Sequence, residues 1–274
     1  MESGKIDEVN LELILTDLVE IYGYDFTRYS RASLQRRLDR VYLMDRFPSF
    51  AEFRYRVRND PGYVKHFIEE LTVNVTSMLR DPTFYKTIRQ EVLPVLATHP
   101  FIRIWHAGCS TGEEVYSMAI LLYEANILHK SLLYATDINP LVIEKGKKGI
   151  FPLSQVRQYS ENYIQSGGTR DFSSYYTANY NLAKFDEMLS KKMIFSTHNL
   201  VSDSSFNEFQ LIFCRNVLIY FEKDLQARVL SLFDSSLQTL GYLALGTKES
   251  LRFSKLESNY RQVVSKEKIW RKNK

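Results

Sequence analysis

One stretch constrains this chain more than any other. A short apolar run, Ile102 to Trp105, passes straight into Ala107-Gly108-Cys109-Ser110-Thr111-Gly112-Glu113-Glu114, and a helical pattern follows with Val115, Met118, Ala119 and Leu122 on its inner face. Strand, glycine turn and helix in succession open a parallel, doubly wound sheet, where the first turn at the carboxyl ends of the strands is the place nucleotides bind. Glycines there let the backbone approach a ligand and let the helix begin hard against the strand. Further apolar runs at Leu132 to Ala135, Leu211 to Phe213 and Tyr242 to Leu245, separated by helical stretches, extend the same α/β pattern. The segment Gln262 to Ile269 alternates as an antiparallel edge strand would.

Twenty-five residues past Gly112, at the end of the second expected strand, stands Asp137, placed where an acid can accept both hydroxyls of a ribose. A glycine turn with a downstream acid serves NAD as well as other nucleotides, and the spacing is not the G-x-G-x-x-G fingerprint. Glu113 also suits a helix N-terminus as a charge complementing the dipole, and Asp137 also suits an ordinary turn. The residues alone leave these readings open.

Upstream, from Val9 to about Ile88, apolar residues recur every three and four positions, as in Leu11, Ile14, Leu15, Leu18 and Leu34, Leu38, Val41, which predicts an all-helical N-terminal domain over residues 1–88. Residues 89–274 then form the α/β domain. A stretch rich in Tyr, Ser and Asn at about 151–193, with Ser166-Gly167-Gly168 as a turn, is expected to be a small inserted antiparallel subdomain. Its tyrosines at 159, 163, 175, 176 and 180 suit the insert's own core better than a docking surface.

The net charge is only +4, yet residues 21–58 hold nine arginines against four acids, a local balance of +5. Helical spacing puts Arg36, Arg37 and Arg40 in one outward arc opposite Leu34, Leu38, Val41 and Tyr42. Such an arc is a solvated face or a docking surface for an acidic partner; so small a patch gives little phosphate neutralisation, which disfavours nucleic acid. No run of eighteen apolar residues occurs and the first ten residues are polar, so neither membrane insertion nor a signal peptide is expected, and a cytoplasmic protein is. Cys109 and Cys214 lie far apart with no Cys or His at metal-ligand spacing, which points to buried thiols and no metal.

Four separated segments, in order, resemble one family: Asn74-Val75-Thr76-Ser77-Met78-Leu79-Arg80-Asp81-Pro82, Ala107 to Glu114, Ala135-Thr136-Asp137-Ile138-Asn139, and Ile212-Phe213-Cys214-Arg215-Asn216-Val217-Leu218-Ile219-Tyr220-Phe221. All are similar to the CheR-type methyltransferases, which use S-adenosylmethionine to esterify glutamate side chains on chemotaxis receptors. A fifth segment, Leu245-Gly246-Thr247-Lys248-Glu249-Ser250-Leu251, resembles the family's late glycine-histidine-serine-glutamate-serine stretch. The chain departs from the family at Met78 and Leu79 for a Phe pair, Val115 for a Pro, and Thr247 and Lys248 for His and Ser.

The resemblance implies a Rossmann-like S-adenosylmethionine-dependent methyltransferase domain with S-adenosylhomocysteine as product. It places cofactor contacts on Asn74, Thr76, Arg80, Glu113, Asp137, Asn199, Leu200, Arg215 and Asn216, and catalytic roles on Tyr220 and Arg215. Arg36, Arg37 and Arg40 would dock the acidic helical region of a receptor, and the insert would occupy the place where some relatives bind a receptor's C-terminal peptide by adding a strand. A monomer is expected. His106 and His198, beside the turn and beside Asn199, are expected to pack or hydrogen-bond rather than act as bases. A glutamate carboxylate is ionised at neutral pH and needs none. The alternatives are a methyltransferase of the same fold with another acceptor, and a non-catalytic receptor-binding module.

Overall fold

The structure, a computed structural model, describes residues 5–264 and 266–273. Four helices come first: α1 (Glu8–Tyr22), α2 (Arg31–Met44), α3 (Phe50–Asn59) and α4 (Pro61–Leu71). Their starts are written in short polar residues. Asp7 accepts from the Asn10 N–H, Ser49 from that of Glu52 and Asp60 from that of Tyr63, with Pro61 opening α4. The apolar stripes of the four helices close on one core containing Leu15, Leu34, Phe53 and Phe67. Across it Asp17, 1% exposed, is held by the guanidinium groups of Arg54 and Arg58, with Arg54 Nε 2.6 Å from Oδ2, so that α1 and α3 are cross-braced.

The next helical stretch, α5 (Pro82–Thr87) with a π-helical turn at Ile88–Val92 and α6 (Leu93–Leu96), turns away from that bundle. Met78, Leu79, Phe84, Tyr85, Ile88 and Leu96 all pack into the core under the sheet. Helical periodicity therefore runs on past the end of the four-helix core, which closes with Leu71.

The main sheet joins seven strands in the order β6-β2-β1-β7-β8-β10-β9. They are β1 (Ile102–Ala107), β2 (Ser131–Asp137), β6 (Met193–Thr197), β7 (Phe209–Cys214), β8 (Leu237–Leu245), β9 (Tyr260–Val264) and β10 (Ile269–Lys272). The first five run parallel and β10 lies antiparallel to β8. From β1 the chain winds outward through β2 to β6, then returns to pair β7 on β1's other side, so the order reverses at β1. Strand residues alternate between two cores: Ile102 and Ile104 face one beneath α7 (Glu113–Glu124), while Trp105 and Ala107 face the other beneath α11 (Lys223–Ser236).

At the chain's far end a single edge strand over Gln262 to Ile269 is not what forms. Two strands make a hairpin, and the later one, β10, lies inside, with β9 at the edge. The reason is apolar: Ile269 and Trp270 are buried against β8, whereas Val263 and Val264 are only partly covered.

The insert has its own antiparallel sheet in the order β3-β5-β4, from β3 (Ile150–Pro152), β4 (Tyr176–Asn179) and β5 (Leu182–Phe185). Helix α8 (Pro140–Lys148) leads into it, and α9 (Leu153–Gln165) and α10 (Glu187–Ser190) complete it. Tyr159, Tyr163 and Tyr175 are buried, and the hydroxyls of the last two donate to Glu124 at the end of α7. Tyr176 packs on Phe185, and only Tyr180 stands in solvent, 93% exposed. The tyrosines thus fasten the insert to the sheet domain. No helix among the described residues is long and apolar enough to cross a membrane.

Candidate active site

One cleft lies over the carboxyl ends of β1, β2 and β7, walled on one side by the segment 72–80 and on the other by residues 215–221. Its floor is the glycine turn. Gly108 sits at φ +75, and a Cβ there would stand 2.5 Å from Val217 Cγ2, so both conformation and space demand glycine. Gly112, at φ +94, is also left-handed, and a Cβ there would stand a tight 3.3 Å from Phe195 and from Gly146 Cα.

Asp137 ends β2 beside this turn. Its Oδ2 accepts from the Ser110 N–H at 2.9 Å and its Oδ1 from the Asn139 N–H at 3.0 Å. Burial pushes its carboxyl above the ordinary range, and the N–H groups of Asn139, Ser110 and Ile138 pull it back. Arg215, 8% exposed, follows β7. It reaches Asp81 Oδ2 at 2.7 Å and Glu114 Oε2 at 3.6 Å, with its guanidinium carbon 4.0 Å from the centre of the Phe84 ring. Glu114 is also held by His106 Nδ1 at 3.0 Å, and the His106 ring stacks on Phe213. His106 is therefore packed and hydrogen-bonded behind the cleft. His198 faces the cleft with its ring edge-on to Trp105, its main-chain N–H donating to the Asp137 carbonyl.

Of the residues singled out from sequence, Asn74, Thr76, Arg80, Asp137, Leu200, Arg215, Asn216 and Tyr220 all line this cleft. Two do not. The Glu113 side chain is buried behind the turn, accepting from Thr111 Oγ1 at 2.6 Å and held above the ordinary carboxyl range by burial, while its neighbour Glu114 lines the cleft. Asn199 lies past the end of β6, its Oδ1 accepting from the Val201 N–H and its Nδ2 buried without a protein partner. Arg36 and Arg40 are exposed on α2, but the outward face expected for Arg37 is corrected. Arg37 is half-buried, donates to the Leu71 carbonyl at 2.6 Å, and places its guanidinium over the Tyr220 ring inside the cleft. Helical spacing grouped it with its neighbours; contact with a loop almost two hundred residues away turned it inward. Thr247 and Lys248 are exposed, and neither is among the cleft's lining residues.

Sequence reading also missed Tyr29, Glu114 and Glu249. Tyr29 closes the cleft against Phe221 through an edge-to-face contact and an antiparallel bridge. Glu249 lies behind the 216–217 turn, accepting from both of its N–H groups. Tyr29 carries no spacing signal that would have marked it, whereas Glu114 and Glu249 stand inside segments that resemble the family without a role being attached to them.

Ser110 Oγ, His198 Nδ1 and Arg215 Nε are buried in this cleft with no protein partner. Buried polar atoms are rarely left so, and their presence beside two carboxylates fits a polar ligand with hydroxyl, carboxylate and base groups. A doubly wound sheet with a glycine turn at its reversal point and an acid ending the adjacent strand defines a nucleoside-cofactor-binding α/β protein of the Rossmann-like class. The comparisons with known proteins narrow this. The CheR methyltransferase SAM-binding domain matches residues 74–269 and the CheR methyltransferase all-alpha domain matches residues 10–72. The chain belongs to the CheR methyltransferase family, and its cofactor is S-adenosylmethionine. A Pseudomonas putida protein named Cher3 is 44% identical over the whole of both chains. The chemotaxis protein methyltransferase 2 of Pseudomonas aeruginosa is 30% identical over 85% of this chain and 83% of its own. The chemotaxis protein methyltransferase of Listeria monocytogenes is 28% identical over 84% and 85%.

Proposed function

We propose that this methyltransferase acts on glutamate side chains in the cytoplasmic helical region of chemotaxis receptors, forming methyl esters and releasing S-adenosylhomocysteine. The observation that carries this reading is the Arg37 guanidinium, poised over Tyr220 within the cleft. A cation and a phenol at that point suit an acceptor that arrives already as a carboxylate. The acids of the cleft already have partners, Asp137 in backbone N–H groups and Glu114 in His106 and Arg215. A carboxylate acceptor needs no such base at neutral pH.

When bound, S-adenosylmethionine supplies an electrophilic sulfonium methyl. In this reading the Asp137 carboxylate takes its ribose, Asn74, Thr76 and Arg80 its amino-acid end, and Leu200 its base. Arg215, braced between Asp81 and Glu114, orients the cofactor, and Tyr220 orients the acceptor. The exposed Arg36 and Arg40 on α2 are fitted to an acidic receptor helix, raising encounter rate and setting register. A receptor's C-terminal peptide would add to the outer edge of β4, where Thr177, Ala178 and Asn179 are exposed.

The test is transfer of radiolabelled methyl from S-adenosylmethionine to purified receptor cytoplasmic fragments. Label that is released as methanol in base, and that is lost when the acceptor glutamates become alanine, supports the reading. Base-stable label, or none on any receptor fragment while another protein is labelled, overturns it. Fragments with and without their C-terminal peptide separate helix docking from strand addition.

A further inference from the structure

Glu249 is 4% exposed and lies just past β8, outside every role assigned so far. Its carboxylate gathers main-chain donors from two segments. Oε2 accepts from Gly246 N–H at 2.6 Å and from Asn216 N–H at 3.0 Å, and Oε1 accepts from Val217 N–H at 2.8 Å. Gly246 is required for this approach, since a Cβ there would lie 2.6 Å from Glu249 Oε2 and 2.8 Å from the Asn216 nitrogen.

The turn so gripped is unusual in two respects. Asn216 holds φ +63, a left-handed conformation that a side-chain-bearing residue keeps only when its surroundings fix it. The turn also supplies one wall of the cleft: Arg215 and Asn216 on the cofactor's side, Val217 against Gly108, and Tyr220 beneath Arg37. A buried carboxylate receiving several charge-assisted N–H bonds is among the stiffer anchors a loop can have.

We propose that Glu249 is a positioning residue for the methyl-transfer reaction: by holding the N–H groups of residues 216 and 217 it sets Arg215 and Asn216 for the cofactor and Tyr220 for the acceptor. The Tyr220 half rests on the acceptor reading above; the cofactor half does not. Glu249→Gln keeps the shape but replaces one acceptor oxygen by a donor that faces N–H groups.

The experiment measures S-adenosylhomocysteine affinity by calorimetry and receptor methylation by kcat and KM, at a temperature where every variant is fully folded. Asp17→Asn serves as control, because it removes an equally buried carboxylate from the helical bundle, away from the cleft. The expected result for Glu249→Gln is a cofactor dissociation constant raised roughly tenfold and a kcat lowered roughly tenfold or more, the control keeping both near wild type. Wild-type affinity and kcat in a folded but less stable Glu249→Gln overturns the proposal, as does an equal loss in the control. If Glu249→Gln does not fold, Glu249→Asp, which keeps the charge one methylene short, is measured in the same way with the same two outcomes. A protein that methylates no receptor still reports through the affinity arm, so failure of this proposal and failure of the acceptor reading are told apart.

Discussion

The Arg37 guanidinium lies over the ring of Tyr220, 5.0 Å from its centroid. Arg37 belongs to α2 and Tyr220 to the turn after β7, so the helical bundle and the sheet domain each contribute one half of the contact. Ser30, at the start of α2, holds the same residue from behind, its N–H donating to the Tyr220 carbonyl at 2.8 Å. The bundle thereby completes the wall of the cleft that the proposed function gives to the acceptor. Arg37→Ala is expected to lower kcat/KM for the acceptor by roughly ten- to a hundredfold, about 1.5–3 kcal/mol, while cofactor affinity is kept. Steady-state kinetics beside calorimetry read the two effects separately. Equal loss of both would place Arg37 at the cofactor.

Asp137 should give cofactor binding its pH dependence. Its folded carboxyl titrates above the ordinary value, chiefly through burial. As pH falls through that raised value the carboxylate proposed to take the ribose is protonated, so affinity should decline at a higher pH than an exposed aspartate would cause. Asp137→Asn should bind weakly at every pH. For stability the sign is opposite to that of a salt-bridged acid. The favourable contribution of Asp137 is complete below its unfolded value and is lost as pH rises through the raised folded one. The melting temperature of Asp137→Asn relative to wild type should therefore rise with pH across that window.

Gly108→Ala places a Cβ at a left-handed backbone position and drives it into Val217. The conformational cost alone is about 1–2 kcal/mol, and relief of the contact must displace Val217, next to Arg215 and Asn216. Expected are a melting temperature lower by several degrees and a loss of cofactor affinity at temperatures where the protein remains folded. An affinity equal to wild type would mean that the turn has room the structure does not show.

Asp17→Asn should cost about 1–2 kcal/mol, because one acid braces two arginines that remain hydrated when it is neutralised. Thermal unfolding of the full chain measures it. A loss well beyond that range would mean that the two guanidinium groups are more desolvated than their partial exposure indicates.

The parallel sheet and the cleft at its reversal point were legible because they rest on local features: an apolar strand, glycines where a side chain would collide, and Asp137 at the end of the next strand. Arg215 and Asn216 were legible through the Cys214-Arg215-Asn216 block. What could not be read was whatever depends on distant backbone. Arg37 follows the helical wheel with Arg36 and Arg40 until the 216–221 turn packs against it. Glu249 recognises main-chain N–H groups, which every residue but proline has, so its partners leave no trace in the sequence. The helical pattern read as far as about Ile88 holds as secondary structure at Pro82–Thr87 but does not say which core it fills, and the Ile269–Trp270 pair took an interior place in the sheet because both side chains bury fully there.

The bridge joining Arg28, Tyr29 and Ser30 to Tyr220, Phe221 and Glu222 has a consequence for how the molecule melts. The helical bundle and the sheet domain have separate cores, joined around the cleft by this bridge, by the Asn139–Thr72 hydrogen bond and by the Lys145–Glu69 ion pair. Any ligand that needs both walls binds only when both are folded, and at a hundred times its dissociation constant it adds about 2.7 kcal/mol to the joint native state. Of the two reactants it is the acceptor, proposed to meet Arg37 on the bundle and Tyr220 on the sheet domain, that should draw the two cores into a single cooperative transition, acting as a clasp between the two halves.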